Sequence, residues 1–307
     1  MLVPPARSSD VRNYRTECEN KLEAKGNRRP FPFGAVQLKS LEKPFLTLPG
    51  ISSRLTIALV IFMLISSAYS QNKYNFPQFI RETGDFALRP VKWRGSDWLK
   101  IGAIGTGTFL VLQTDQSIRA AVLKNQRYSH SAPIEAGRIW GEWYTTFALG
   151  TGFGAYGLLA DNRSMLEIGY ELVQADLYSQ ATIALLKVPF GRARPYLNRG
   201  ARVFRPFNFQ WTKFGSFPGG HASSAFAIST VLSRNSRSDV VKVLVYVPAV
   251  LSATSRVYQD KHWTSDCFLG AIIGYSVGTW IVNMHERKES SATVSPILPL
   301  TLIYRFY

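Results

Sequence analysis

Apolar positions in this chain fall into long runs parted by short polar breaks, and from residue 96 onward their spacing is helical. Trp98, Ile101, Ile104 and Phe109 recur every three to five positions and predict a helix over 96–112, with Ser96 and Asp97 at its start. A polar, helix-like segment follows at 116–126, then a loop around His130 and Pro133. The next helix, 134–160, is rich in Trp, Phe and Gly. Its stretch 143–160 has no charge, and Gly150, Gly152, Gly154 and Gly157 allow a neighbouring helix to approach closely. Asp161-Asn162-Arg163 interrupts it, and Ser164 caps a helix over 165–187. Further helices are predicted at 221–233, 239–254 and 262–284. The fold expected is therefore all-α, a bundle of about six core helices, with one short β-strand at 297–307. Several uncharged runs reach the lower limit for a membrane span, but glycine and hydroxyl residues dilute them, so the pattern allows a bilayer-embedded or a self-buried bundle.

The front of the chain is different. Residues 1–50 are rich in Pro, Arg, Lys and Asn without periodicity and read as a disordered basic segment, which a true start near Ile51–Leu55 would remove. Arg54, the apolar run 55–65 and the small residues before Gln71 have the layout of a signal peptide or signal anchor over 51–70. A lead-in segment at 71–89, a catalytic domain at 90–285 and a tail at 286–307 complete the expected organisation. The signal implies export, with a site on the periplasmic side of the envelope.

Charge narrows the partners. The formal net charge is +16, with 46% hydrophobic and only 18% charged residues, which favours an anionic partner: a nucleic acid, a lipid headgroup or a phosphorylated substrate. Between 187 and 213, basic residues alternate with Tyr196, Phe204, Phe207, Phe209 and Trp211 and no acid intervenes. Such alternation also suits single-stranded nucleic acid, but Pro195, Gly200 and Pro206 make this a loop, read as part of an active site with no nucleic-acid partner. The two cysteines, Cys18 and Cys267, cannot build a disulfide framework. Glu167 and Glu171 share a helix face, with Asp176 off that line, and read as solvated rather than as a metal site. No set of His, Cys and Asp has metal-ligand spacing.

The candidate chemistry lies in three stretches. The first is Lys187 through Arg194-Pro195; the second is Pro218-Gly219-Gly220-His221; the third runs from Ser255-Arg256 through His262 to Asp266. His262 and Asp266, four apart, would share one helix face, so that the carboxylate holds Nδ1–H and leaves Nε2 as base or nucleophile. Lys187, Arg194 and Arg256 supply three cations, and glycines leading into a helix N-terminus let backbone N–H groups approach an anion. In this order the stretches resemble the K-x6-R-P, P-S-G-H and S-R-x5-H-x3-D motifs of the type 2 phosphatidic acid phosphatase (PAP2) and vanadium haloperoxidase superfamily. The first and third match in full; Gly219 stands where the family has serine.

That resemblance implies a metal-independent phosphatase without a cofactor, acting on phosphomonoesters or diphosphates of a lipid such as phosphatidate, an isoprenyl diphosphate or lipid A. His262 would form a phosphohistidine, Asp266 would hold its tautomer, and His221 would protonate the leaving group. Lys187, Arg194, Arg256, Gly219 and Gly220 would bind phosphate. The missing serine hydroxyl would be replaced by Ser216, Ser223 or a water, and Gly219→Ser is expected to raise the rate. A vanadate-dependent haloperoxidase is the alternative; a non-enzymatic basic envelope or nucleic-acid-binding protein is a second.

Overall fold

The structure, a computed structural model, describes residues 74–293, with side chains described through Glu286. The basic segment, the signal and the terminal strand expected from the sequence lie outside these residues. Among those described, the fold is helical. A lone antiparallel bridge between Arg192 and Phe204 is its one β-type pairing.

Helix α1 (Phe76–Ala87) starts from Asn75, whose side chain accepts the Gln78 N–H. Helix α2 (Gly95–Leu123) merges the expected helix and the polar segment after it into one rod. Asp97 sits in its first turn and accepts the Arg94 N–H rather than capping directly. The expected helix at 134–160 is split into α3 (Ala132–Trp140) and α4 (Trp143–Leu159). Helix α5 (Arg163–Phe190) is capped by Asn162 and runs through Pro189 to Gly191, whose left-handed backbone (φ 52°) ends it. A short turn, α6 (Trp211–Phe214), precedes α7 (Gly220–Asn235). The expected helix at 239–254 is also split, into α8 (Asp239–Leu244) and α9 (Val247–Tyr258). Pro248 has no N–H to donate back toward Leu244, so the ladder breaks there. Helix α10 (Thr264–Thr293) closes the described chain.

Helices α5, α7 and α10 pack against one another around a core of Leu172, Ala175, Tyr178, Ala227, Ile228, Val231, Ile281 and Val282. The contact of α7 with α10 is close because α10 presents glycine. A Cβ at Gly270 would lie 2.2 Å from the Gly219 carbonyl oxygen, and one at Gly274 would lie 2.1 Å from that of Ser223. Helix α4 packs on α5, α3 on α9, and α2 on α10.

Two features correct the reading of polarity. Glu171 and Asp176 are not on a solvated face: both are buried. Glu171 accepts from Asn235 Nδ2 (2.7 Å) and pairs with His285 Nδ1 (2.8 Å). Glu82 of α1 joins them, 3.4 Å from His285 Nε2 and bonded to Gln174, Tyr170 and Gln78. The second feature is an apolar exterior. Trp98, Leu99, Phe109, Leu110, Leu159, Val243 and Val250 all face outward. The segments Asp239–Tyr258 and Thr264–Glu286 are long and apolar enough to cross a membrane.

Candidate active site

The three motif stretches meet at one end of the bundle. Lys187 ends α5; Arg194 stands in the loop that follows; Gly219 and Gly220 lead α7; Arg256 is in the last turn of α9; His262 and Asp266 flank the start of α10.

His262 precedes α10 rather than riding on it, because Lys261 and His262 both donate their N–H groups back to the Arg256 carbonyl. Its imidazole is buried, 3% exposed. Nδ1 lies 2.8 Å from the Ser216 carbonyl oxygen and 3.6 Å from Asp266 Oδ2. The hydrogen bond expected from Asp266 is thus made by a backbone carbonyl, with the carboxylate as a charge just behind it. A carbonyl can only accept, so Nδ1 carries the proton and Nε2 keeps its lone pair. Burial pushes this imidazole down to about 3, despite the nearby Asp266 and helped by the charges of Arg194 and Lys187. His262 is therefore neutral at ordinary pH. Its Nε2 lies 3.3 Å from a terminal nitrogen of Arg194.

Asp266 is fully buried, and both its oxygens are engaged. Oδ1 accepts from Arg192 (2.5 Å); Oδ2 accepts from the Ser216 hydroxyl (2.5 Å) and the Trp263 N–H (2.8 Å). Ser216 thus serves His262 and Asp266 together and has no hydroxyl proton left over for a phosphate.

Cations face this pair. Burial lowers the proton affinity of Arg194, in part offset by Tyr196 and Asp266, yet it stays a cation. The Nε atoms of Arg194 and Arg256 are buried and have no hydrogen-bond partner among the described residues. Buried donors are nearly always paired, so these two point to an acceptor that the protein itself does not supply. The N-terminus of α7 has no side-chain cap, and its leading N–H groups present the positive end of the helix dipole.

Gly219 is also a contact residue. Its N–H donates to the Asp266 carbonyl (2.8 Å), and a Cβ at this position would sit 3.0 Å from that same oxygen. A side chain at 219 therefore requires the Asp266 carbonyl to give by a few tenths of an ångström, which sets a packing cost against the gain expected for Gly219→Ser. Of the proposed substitutes for the missing hydroxyl, Ser216 is engaged elsewhere, whereas the Ser223 hydroxyl is buried and without a partner.

His221, in the first turn of α7, lies with Nε2 3.3 Å from Glu142 Oε1. Burial lowers this histidine, opposed by Glu142. Contact with His221, then the charges of Arg138 and Arg256, holds Glu142 below the usual carboxylate range despite partial burial. Arg138 also bonds Glu142, at 3.1 Å. Glu142 reaches the site because α3 and α4 are separated at Gly141, where a Cβ would lie 2.7 Å from the His221 carbonyl.

Glu142, Arg192 and Asp115 are the site residues missing from the sequence reading, which named Ser216 only as a stand-in for the missing hydroxyl. Arg192 lies inside the spacer of the first motif, and Asp115 is an isolated acid inside a long helix. An ionised side chain in mid-helix, buried in an otherwise apolar protein, is the signal that could have flagged Asp115.

Comparison with known proteins finds likenesses over these stretches. The PAP2 superfamily model matches residues 172–290. The lipid A 1-phosphatase of Porphyromonas gingivalis is 34% identical over 109 residues, which is 34% of this chain and 21% of that protein. The chain thus spans about a fifth of the length of that curated relative. A transmembrane PAP2-type phosphatidylglycerolphosphate phosphatase from Bacillus subtilis aligns over 60% of this chain and 95% of its own, at 19% identity and TM-score 0.46. Aquifex aeolicus LpxE aligns over 52% and 94%, at 22% identity and TM-score 0.39. The stretch matched by that family model contains Lys187, Arg194, Gly219, Gly220, His221, Arg256, His262 and Asp266.

Proposed function

We propose that the chain is a metal-independent phosphatase that hydrolyses a phosphorylated lipid through a phosphohistidine on His262. The observation that carries this reading is a buried neutral imidazole whose Nε2 faces Arg194, in a site where two buried guanidinium Nε–H groups lack an acceptor.

The step follows from the geometry. A phosphoryl group held by Lys187, Arg194, Arg256 and the amides leading α7 presents phosphorus to Nε2. The Nε2 lone pair forms the N–P bond as the bond from phosphorus to the ester oxygen breaks. His221 gives its proton to that oxygen. The imidazolium that results keeps Nδ1–H on the Ser216 carbonyl and is stabilised by Asp266. Water then attacks phosphorus, His221 takes its proton, the N–P bond breaks, and phosphate leaves with His262 neutral again.

A lipid substrate is supported by the surroundings. A groove of about 390 Å³ runs between α2, α9 and α10, lined by Ile118, Val122, Phe226, Val250, Phe268 and Ala271. Val257 and Thr264 line both this groove and the small cleft beside His262. On this reading the groove takes the acyl or isoprenyl chain of the substrate. The apolar exterior and the two span-length segments support a membrane-embedded bundle, and on this reading the site faces the exported, periplasmic side. A lipid A phosphate, the kind of substrate in the name of the 34% identical relative, is one candidate; phosphatidate and isoprenyl diphosphates are others.

The test is phosphate release from p-nitrophenyl phosphate and from a short-chain phosphatidate in EDTA, by the wild type and by His262→Ala. EDTA-resistant turnover that drops at least about 10³-fold in the variant is expected for loss of a nucleophile. Turnover that survives in the variant overturns the phosphohistidine. Bromide oxidation with vanadate and peroxide in place of hydrolysis overturns the phosphatase.

A further inference from the structure

Arg192 is the most enclosed cation in the described structure, and the phosphatase reading gives it no task. It lies two residues before Arg194, yet its side chain is 0% exposed and turns away from the anion site. Each of its five N–H donors is matched. Nε and one Nη2 proton reach the Ala201 carbonyl (2.9 and 2.6 Å). The other Nη2 proton reaches Asp115 Oδ2 (2.7 Å), and Nη1 reaches Ser265 Oγ (2.7 Å) and Asp266 Oδ1 (2.5 Å). The rings of Phe204, Phe217 and Trp263 surround the guanidinium. Asp115 also accepts the Ser265 N–H (2.9 Å) and its hydroxyl (2.5 Å), so it ties α2 to the first turn of α10. Enclosing three charges is costly unless geometry and hydrogen bonding are complete. Here they are.

We propose that Arg192, held in place by Asp115, is a positioning residue that sets how strongly Asp266 acts on His262. Arg192 occupies Oδ1 and offsets part of the carboxylate charge, its own charge being shared with Asp115, while Ser216 and Trp263 occupy Oδ2. Asp266 is left 3.6 Å from Nδ1, close enough to favour an imidazolium once the N–P bond forms, while burial keeps the resting ring unprotonated and Arg192 tempers the opposing pull of the carboxylate. The other charges that reach His262 are Arg194 from the loop after α5 and Lys187 at the end of α5, both of which oppose protonation. Without Arg192, an uncompensated Asp266 would draw a proton onto Nε2 and remove the lone pair that attacks.

The inference rests on the reading of His262 as nucleophile, so its test has a readout that needs no turnover. The chain has four histidines, which makes imidazole ¹⁵N NMR of the full-length, detergent-solubilised protein tractable, with His262→Ala assigning the resonance. In the wild type the His262 ring is expected to stay neutral and Nδ1-protonated from pH 8 down to pH 5. In Arg192→Gln its titration moves up by about one pH unit or more, the acid limb of kcat/KM follows, and KM changes less than kcat. Arg192→Lys, which keeps the charge but not the fork, restores part of the shift. If Arg192→Gln does not fold, the pair Arg192→Gln/Asp115→Asn, which leaves no stranded acid at 115, is expected to show the same upward shift. A folded variant whose His262 titrates as in the wild type overturns the proposal and reduces Arg192 to a packing role. If His262→Ala keeps its turnover while the titration still moves, the phosphohistidine fails and the control of His262 by Arg192 stands.

Discussion

Helix α10 carries a cluster of buried charge at each end, and the two are built on opposite principles. Near Asp266 the cations outnumber the two acids: Arg192 bridges Asp115 and Asp266, and Lys187, Arg194 and Arg256 add three more charges, two of them with Nε–H groups unmatched among the described residues. Near His285 the acids predominate. Glu171 has both oxygens engaged, by His285 and Asn235, and Glu82 accepts from Gln78, Tyr170 and Gln174. His285 has a carboxylate at each ring nitrogen. His285, Glu171 and Glu167 could geometrically hold a metal ion. The ring and Glu171, however, are already bonded to each other and to their neighbours. The difference separates a binding site from a clamp. The clamp pairs its charged groups from within and joins α1, α5 and α10; the site leaves charged donors for something that arrives.

The contrast can be broken first at the cationic end. Arg256→Ala is expected to lower kcat/KM about 10²–10³-fold, as loss of one transition-state donor does, while thermal stability holds or rises because a poorly matched buried cation has gone. A fall in the melting midpoint with unchanged turnover per folded molecule would make Arg256 part of a second clamp.

At the other end the signs reverse. Glu171→Ala strands His285 beside Glu82 and is expected to cost about 3–5 kcal/mol of stability, with phosphate release per folded molecule unchanged. Denaturant midpoints and single-turnover rates measured on the same preparations decide this. Lost chemistry without lost stability would make the acidic cluster functional.

Gly219→Ser sharpens the comparison at its tightest point. The added Cβ meets the Asp266 carbonyl at 3.0 Å, an overpacking that costs about 1–3 kcal/mol. Both the melting midpoint and turnover are expected to fall. A faster enzyme would show that α10 yields and that the serine hydroxyl finds the phosphate.

The smallest effect is in the pH dependence. The His262 value in the folded protein, about 3, is below the ordinary value of about 6.5. The unfolded chain therefore binds more protons between these limits. The contribution of His262 to stability is present in full above the ordinary value and declines as pH falls from there toward 3. Activity on a soluble phosphoester should persist at pH 5, with no loss attributable to His262. An acid limb near pH 6 that vanishes in a His262 variant with residual turnover would contradict the neutral, buried ring.

Much of this site was legible because three stretches carry it. Lys187, Arg194, His221, Arg256, His262 and Asp266 were marked by the resemblance of those stretches to the three family motifs, and the chain brings them together. The partners that tune them were not legible. Asp115 is distant in sequence from Ser265, and nothing local to α2 announces the pairing. Glu142 depends on a helix break at Gly141 that is caused by close approach to His221 and Ser252, a tertiary fact. Ser216 acts partly through its backbone carbonyl, which any residue would supply. Periodicity likewise found the helical runs but not the breaks before Trp143 and Val247. The burial of Glu171 was misread because a helix-face pattern cannot say which face turns inward.

Between its two charged ends, α10 has a stretch, 267–284, with no charged residue, about 27 Å of helix at 1.5 Å per residue. That length is close to the hydrocarbon thickness of a bilayer. On the membrane reading the phosphate cage lies at one interfacial plane, level with the headgroups it would act on. Substrate would then arrive by lateral diffusion, and velocity would follow its mole fraction in the membrane rather than its bulk concentration. Adding an inert lipid at constant bulk substrate would slow such an enzyme by dilution within the surface alone.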